Sequence, residues 1–335
     1  MPSLSRIDDS DLLTLRFRDL PLTAFPPPLQ RAIDDLYGTL ARRGIDFRPH
    51  CWISTDWFSP DGTPGIAIPF YLIHPRLMRL ERSIRGNAEG GNARSRRMIL
   101  RHEAGHAIDT AYRLRRRADW RQVFGRASLP YPSVYRARPA SQRFVAHLDH
   151  WYAQSHPTED FAETFAVWLQ PRQTWRRQYA GWPALQKLEY VDSLMREISR
   201  QRPSNRDRSC VLPLRNNRRT LREHYRRSAP AAECSENRYD AWLRRTFTTR
   251  FRPARTMAAG KYLRLRSGEI EHRVQRSMPG SAYICRQACD VLRRRARELD
   301  LVLRSGQREA LAPAARLLER VIHDILSRNS EQFRL

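Results

Sequence analysis

The segment Arg101 to Tyr112, RHEAGHAIDTAY, restricts what this chain can become more than any other stretch. His102 and His106 are four residues apart, so on an α-helix they lie one turn apart and roughly 40° from each other around the axis, able to grip one metal ion. Glu103 falls beside them, where a carboxylate can take a proton from an attacking water. Met98, Ile99, Leu100, Ala104, Ala107, Ile108 and Ala111 make the segment apolar enough for a buried helix. Such a helix rarely accepts two histidines and a glutamate without a task for them, because an uncompensated polar group is costly to take out of water. HExxH has only three fixed positions, however, and two satisfied core histidines are the bland alternative.

A catalytic zinc takes three protein ligands and keeps one position open, so HEAGH lacks a ligand. The longer motif with a third histidine would place it at Tyr112 and a glycine at Asp109, which excludes that arrangement. Phe144 to Leu169, FVAHLDHWYAQSHPTEDFAETFAVWL, offers glutamates instead. Glu159 and Glu163 share one face of an expected helix that Ser155 or Thr158 can cap, with Phe161, Phe165, Trp168 and Leu169 as its apolar surface. Two carboxylates near an apolar surface repel each other unless a cation meets them, and zinc is such a cation. Glu159 is therefore expected as the third ligand. Glu163 is expected behind it, accepting from a ligand histidine, and Asp109 is placed in the same supporting layer. Asp160, about 100° around the helix, is expected to be structural. Tyr152, seven residues before Glu159, can reach back over the metal to stabilise an oxyanion or donate a proton. His147, His150 and His156 crowd the same stretch, and His156 is the rival third ligand.

The two stretches together look like a gluzincin, the metalloprotease group with HExxH and a downstream Glu. The spacing from Tyr152 to Glu159, and EDFAE ahead of an apolar helix, is similar to the zinc helix pair of the anthrax lethal factor group. YAQSHPTEDFAETFAVWL resembles more closely the bacterial zinc-binding metallopeptidases, whose signature pairs HExGH with YAxxHPxEDxAETxA. The resemblance spans roughly residues 10–200 and includes Trp182, Pro183 and the run from Lys187 to Asp192. It implies a zincin-like fold and one zinc ion at His102, His106 and Glu159, with Glu103 as base and Tyr152 at the oxyanion. No CxxC pair precedes the domain, so the zinc ribbon of some relatives is missing, and no substrate is inherited from the family.

The remaining chain supplies the frame. Leu13, Leu15 and Phe17 alternate with polar residues as in a strand, and residues 1–10 read as a loose terminus. A helical stripe from Pro28 to Arg43 closes at Gly44. Phe47 to Ser54 and Gly65 to Leu72 are β-rich, and Pro69 marks the second as an edge strand that could hold an extended peptide. Arg85 to Arg94 reads as a loop leading into the HEAGH helix, which is expected to run to about Arg117. A proline-marked loop with Pro130, Pro132 and Pro139 follows. Residues 201–217 are expected as a linker, and 218–335 as a basic helical region with amphipathic stretches around Ala288–Leu299 and Leu311–Ile325. This makes an α+β protein: a metallopeptidase domain over 11–200 with a small mixed sheet and an active-site helix pair, then a mainly helical C-terminal domain.

With 335 residues the chain can bury a core without staples. Its five cysteines are scattered and odd in number, which argues against disulfides, and Cys285 and Cys289 read as buried thiols. The net charge of +26 would ordinarily suggest a nucleic-acid partner. Only Lys187 and Lys261 are lysines among 61 basic residues, and the arginines are spread along the chain, as a GC-rich genome would produce. No run of about 18 apolar residues exists and the first residues carry acids, so the expectation is a cytoplasmic protein without a membrane segment. The expected function is zinc-dependent hydrolysis of a peptide or related amide bond. The alternatives are a nucleic-acid-associated protein with a structural zinc and a non-catalytic scaffold.

Overall fold

The computed structural model describes residues 4, 7–85, 87–139, 141–172, 174–227, 239–249, 257–278, 282–327 and 331–334. The chain divides into two compact units, one of residues 1–133 and 142–232, the other of 134–141 and 233–335. No described helix is long and apolar enough to cross a membrane.

The first unit begins with α1 (Asp9–Thr14) where alternation suggested a strand. Asp8 accepts a hydrogen bond from Asp11 N–H at 2.9 Å and so caps a single short turn of helix. Leu4 is buried, so the first ten residues are not wholly loose. Next comes α2 (Pro27–Arg42), with proline in its first turn, where the missing N–H costs nothing. It buries Leu29, Ile33, Leu36 and Leu40 and ends before Gly44, whose φ of 74° suits glycine.

β1 (His50–Ser54) and β2 (Gly65–Pro69) pair in parallel, with Cys51 opposite Ile66 and Ile53 opposite Ile68. β2 is buried along its whole length, and Ala67 N–H donates to Phe58 O at 2.8 Å. The edge expected to receive a peptide is therefore already partly occupied by the chain's own loop. α3 (Pro75–Arg85) was not foreseen; it follows Pro69 at once through a short turn and buries Leu77, Leu80 and Glu81.

α4 (Ala93–Tyr112) carries the HEAGH segment. Asn92 caps it by accepting from Ser95 N–H at 2.9 Å. The helix stops at Tyr112, five residues short of the expected Arg117, because Arg113 turns into the left-handed region at φ 55°. The Asp109 carboxylate receives Arg115 N–H at 2.7 Å and its guanidinium at 2.5 Å, folding the chain back onto the helix end. α5 (Ala118–Phe124) then buries Trp120 and Phe124.

α6 (Pro157–Trp168) lies against α4, and every residue from Thr158 to Trp168 is buried. His156, not Ser155 or Thr158, is its cap, accepting from Thr158 N–H. α7 (Trp175–Gln178) and α8 (Ala184–Ile198) complete the wall behind it. There Lys187 Nζ donates to Asp160 at 2.5 Å, the structural part foreseen for Asp160. Residues 201–217, expected to link two domains, belong to the first unit. Trp52 Nε1 donates to Val211 O at 2.9 Å and Ser54 Oγ to Leu212 O at 2.8 Å, so this stretch is tied back onto β1. α9 (Leu221–Arg227) closes the unit.

The second unit holds α10 (Asp240–Thr246), α11 (Ala259–Leu265), α12 (Ser267–Ser277), α13 (Ala282–Glu298) and α14 (Leu311–Ser327). Leu243, Phe247, Tyr262, Ile270, Leu292 and Val321 form its interior, and Cys285 and Cys289 are buried there outside any disulfide. Cys234 lies outside the described residues. Arg295 grips Asp240 through two bonds of 2.7 and 2.6 Å, which accounts for one charge of the basic 293–297 run. The unit is not helical alone: β3 (Val134–Ala137) pairs antiparallel with β4 (Glu331–Arg334). That pairing joins segments nearly two hundred residues apart, beyond the reach of any local pattern.

His224 on α9 is a buried neutral base. Its Nε2 accepts from Arg85 at 3.2 Å, and its ring meets the edges or faces of Phe17, Phe70 and Tyr225. Burial, with Arg85 and Arg219 adding to it, pushes its pKa down to about 4. Burial pushes His147 down to about 4 as well. A base whose folded pKa is depressed leaves the unfolded chain to take up the proton first, so this stability is present above about pH 6.5 and is lost as pH falls toward 4. For His224 the loss is on the order of 2 kcal/mol, allowing for partial screening. Urea unfolding of metal-free protein between pH 7.5 and 4.5 should show His224→Gln with a flatter decline than wild type; equal slopes would exclude His224 as the group responsible.

Candidate metal centre

The site is built where α4 meets α6. Gly105 makes the approach possible, since a Cβ there would stand 2.8 Å from Ala162 Cα and 3.1 Å from its carbonyl oxygen. The two backbones run together at the level where His102 and His106 project from one helix and Glu159 from the other. All three side chains are buried, at 3%, 8% and 4% exposure.

Glu159 Oε2 lies 3.1 Å from His102 Nε2 and 3.1 Å from His106 Nε2, and the two nitrogens are 3.2 Å apart. These are the ligand atoms that together could hold one ion. Zinc bonds of about 2.0–2.1 Å at the tetrahedral angle place ligand atoms roughly 3.3–3.4 Å apart, so the observed triangle fits with a small outward adjustment. Three lone-pair-bearing atoms pointed at one another inside a protein are unfavourable without a shared cation.

Glu163 sets the chemistry of that triangle. Its Oε1 accepts from His102 Nδ1–H at 2.8 Å, so that in the neutral ring the lone pair of Nε2 faces Glu159. Its Oε2 accepts from Leu148 N–H at 2.8 Å, so the carboxylate is fixed at both ends. The electrostatics carry the same message. Burial opposes the charged form of His102, yet its hydrogen bonds to the carboxylates of Glu159 and Glu163 raise its pKa well above the ordinary value. Burial likewise opposes ionisation of Glu159, but His106 and His102 hold its pKa well below the usual carboxylate range. The pocket thus draws positive charge to its centre.

Glu103 is 7% exposed, and among the described residues its carboxylate has no hydrogen-bond partner. Burial raises its pKa, against the pull of His102 and His106. Asp56 and Glu89, both solvent-reachable, lie within electrostatic range of it and make this side of the site acidic. Neither was foreseen, since nothing in their spacing ties them to HEAGH. Tyr152 sets its ring 5.6 Å from that of His102, tilted by 51°. The two residues before it, His150 and Trp151, both adopt left-handed backbone at φ 63° and 53°. Non-glycine residues rarely do so, and this strained double step is what turns Tyr152 toward the histidines.

One expectation is corrected, and the rival third ligand is set aside. Asp109 spends its carboxylate on Arg115 and, among the described residues, hydrogen-bonds to neither histidine, so it shapes the end of α4 and reaches His106 only through its charge. His156 is no ligand in this arrangement. Its Nε2–H donates to Leu129 O at 2.8 Å and its Nδ1 faces Thr158, so both ring nitrogens are in use. His147 donates to Met98 O at 3.0 Å and is equally committed, while His150 is exposed. Sequence reasoning missed Tyr131, whose hydroxyl donates to Glu159 Oε1 at 2.6 Å. It lies 28 residues from its partner, in a loop with no periodicity.

A family model described as a "putative zinc-binding metallo-peptidase" matches residues 93–198. The matched stretch opens on the first residue of α4 and closes on the last of α8, so it contains all three converging side chains. It supports a zinc-binding metallopeptidase as the class of this part of the chain. No curated protein and no solved structure matches the chain.

Gly105→Ala tests the helix contact on which the triangle depends. Alanine is a better helix former than glycine by about 1 kcal/mol, so the substitution would stabilise the helix if there were room. Here overpacking against the Ala162 backbone should instead cost roughly 1–3 kcal/mol and weaken metal binding. Gly38→Ala on α2, where the nearest atom to a Cβ is the end of the Arg42 side chain at 3.4 Å, is the control and should not destabilise. Thermal unfolding and zinc titration of both variants check this.

Proposed function

We propose that the first unit is a zinc-dependent metallopeptidase with a zincin-like fold, hydrolysing a peptide or related amide bond with water. One observation carries the reading: three buried ligand atoms converge beside a buried carboxylate that has no hydrogen-bond partner among the described residues. His102, His106 and Glu159 would hold one zinc ion. When bound, zinc supplies Lewis acidity, which acidifies water and polarises a carbonyl.

Glu103 is the general base. It is one residue from a ligand, it has no hydrogen-bond partner among the described residues, and its raised pKa makes its ionised form a stronger acceptor for the proton of the attacking water. Having taken that proton, it is placed to pass it to the departing nitrogen. Tyr152 is assigned to the oxyanion of the tetrahedral intermediate. Among the described residues its hydroxyl has no hydrogen-bond partner, and burial with the neighbouring carboxylates keeps it protonated and able to donate. Glu163 holds His102 in the tautomer that presents Nε2.

A structural zinc in a nucleic-acid-associated protein is less well supported. Structural sites are closed by four ligands, whereas the described residues bring three together. Asp56 and Glu89 also make the surroundings repel phosphates. A scaffold without turnover has no use for the Glu103 carboxylate.

Glu103→Gln separates binding from catalysis. Zinc content should stay at the wild-type level while cleavage of a peptide library falls by about 10²–10⁴-fold. Chelation should abolish wild-type cleavage and added zinc restore it. Equal cleavage by wild type and Glu103→Gln would refute the mechanism, and zinc retention by Glu159→Ala would refute the ligand set.

A further inference from the structure

Tyr131 presents a contradiction that its surroundings resolve. The residue is 53% exposed, yet its hydroxyl reaches inward to the metal centre. It donates to Glu159 Oε1 at 2.6 Å and lies 2.5 Å from Thr158 Oγ1. Its ring lies flat on the His156 imidazole, with centroids 4.0 Å apart and planes 16° from parallel. His156 is in turn fixed by its bond to Leu129 O, on the same loop as Tyr131, and by Thr158. The loop around Pro130 and Pro132 is thereby fastened to the start of α6.

The two oxygens of Glu159 consequently have separate tasks. Oε2 faces both histidine nitrogens at 3.1 Å, and Oε1 is taken by Tyr131. An ionised carboxylate only accepts, so the Tyr131 proton points at Glu159. A carboxylate free at both oxygens can bind a cation through one or both. With both engaged beside two imidazoles, the protein alone would fill four positions, and a catalytic site needs one of the four left open.

We propose that Tyr131 is a positioning residue that makes Glu159 a one-oxygen ligand, with Thr158 and His156 holding the tyrosine in place. The inference rests on the metal reading above. The ring contributes little to the core, and its one inward group ends on the oxygen that must be kept away from the ion. The geometry does not require substrate to touch Tyr131.

Tyr131→Phe tests this most directly, since it keeps the ring and its stacking on His156 and removes only the donor. In the full-length chain, the zinc dissociation constant from competition with a chromophoric chelator should rise about 10–100-fold. Cobalt-substituted protein should show a weaker visible absorption than wild type, because a two-oxygen Glu159 raises the coordination number. The metal-free protein should stay folded, less stable by no more than the loss of one hydrogen bond to a buried carboxylate, since the exposed ring remains. Thr158→Val, which removes the hydroxyl beside Tyr131, should move the cobalt spectrum in the same direction by less, and it serves if Tyr131→Phe folds poorly. Zinc affinity within twofold of wild type and an unaltered cobalt spectrum in both variants would overturn the role of Tyr131 while leaving the metal site intact. A wild-type protein that binds neither zinc nor cobalt would overturn the metal reading and this inference together.

Discussion

The close approach of α4 and α6 at Gly105 and Ala162 is the contact on which the rest of the first unit depends. Glycine removes the one atom that would hold the backbones apart, and a neighbouring alanine supplies a small partner. Because the helices are nearly in backbone contact, side chains of moderate length from each reach a common point, and the two Nε2 atoms and Glu159 Oε2 form a triangle about 3 Å on a side. Sites held on helices buried on several sides are more precise than sites held on loops. Both helices meet that condition, with α6 buried from Thr158 through Trp168.

Polar groups placed so deeply call for partners, and several are met by specific ones. Glu163 spans His102 and the Leu148 amide, Lys187 meets Asp160, and Arg115 meets Asp109 at the end of α4. Glu103 stands apart as the buried carboxylate left without such a partner among the described residues. Its isolation costs free energy in the resting protein, which fits the general-base role proposed for it. Loops finish the site: strained backbone at His150 and Trp151 aims Tyr152, and the segment carrying Tyr131 closes over the far oxygen of Glu159.

The division of labour between helices and loops explains which residues could be read in advance. His102, Glu103 and His106 were legible because helical periodicity converts a spacing of four into a shared face. Glu159 and Glu163 were legible for the same reason, once a zinc reading of HEAGH called for a third ligand. Tyr131, Asp56 and Glu89 were not, because segments with no regular period bring them to the site or into its electrostatic range. Capping by His156 in place of Ser155 or Thr158 was missed because any of three adjacent polar side chains could have served. Arg115 was missed as the partner of Asp109 because it lies beyond the point where the helix unexpectedly ends.

The sequence by itself determined the helix that carries the two histidines, the glutamate helix that complements it and the mixed α+β character, since each follows from local spacing and burial pattern. Only the tertiary structure decided how near the two helices come, which oxygen of Glu159 faces the histidines, and that residues 201–217 stay with the first unit. It also decided that residues 134–137 pair with 331–334 in the second. Those outcomes depend on contacts between segments far apart in the chain, where backbone packing and the satisfaction of buried polar groups, not periodicity, select the arrangement.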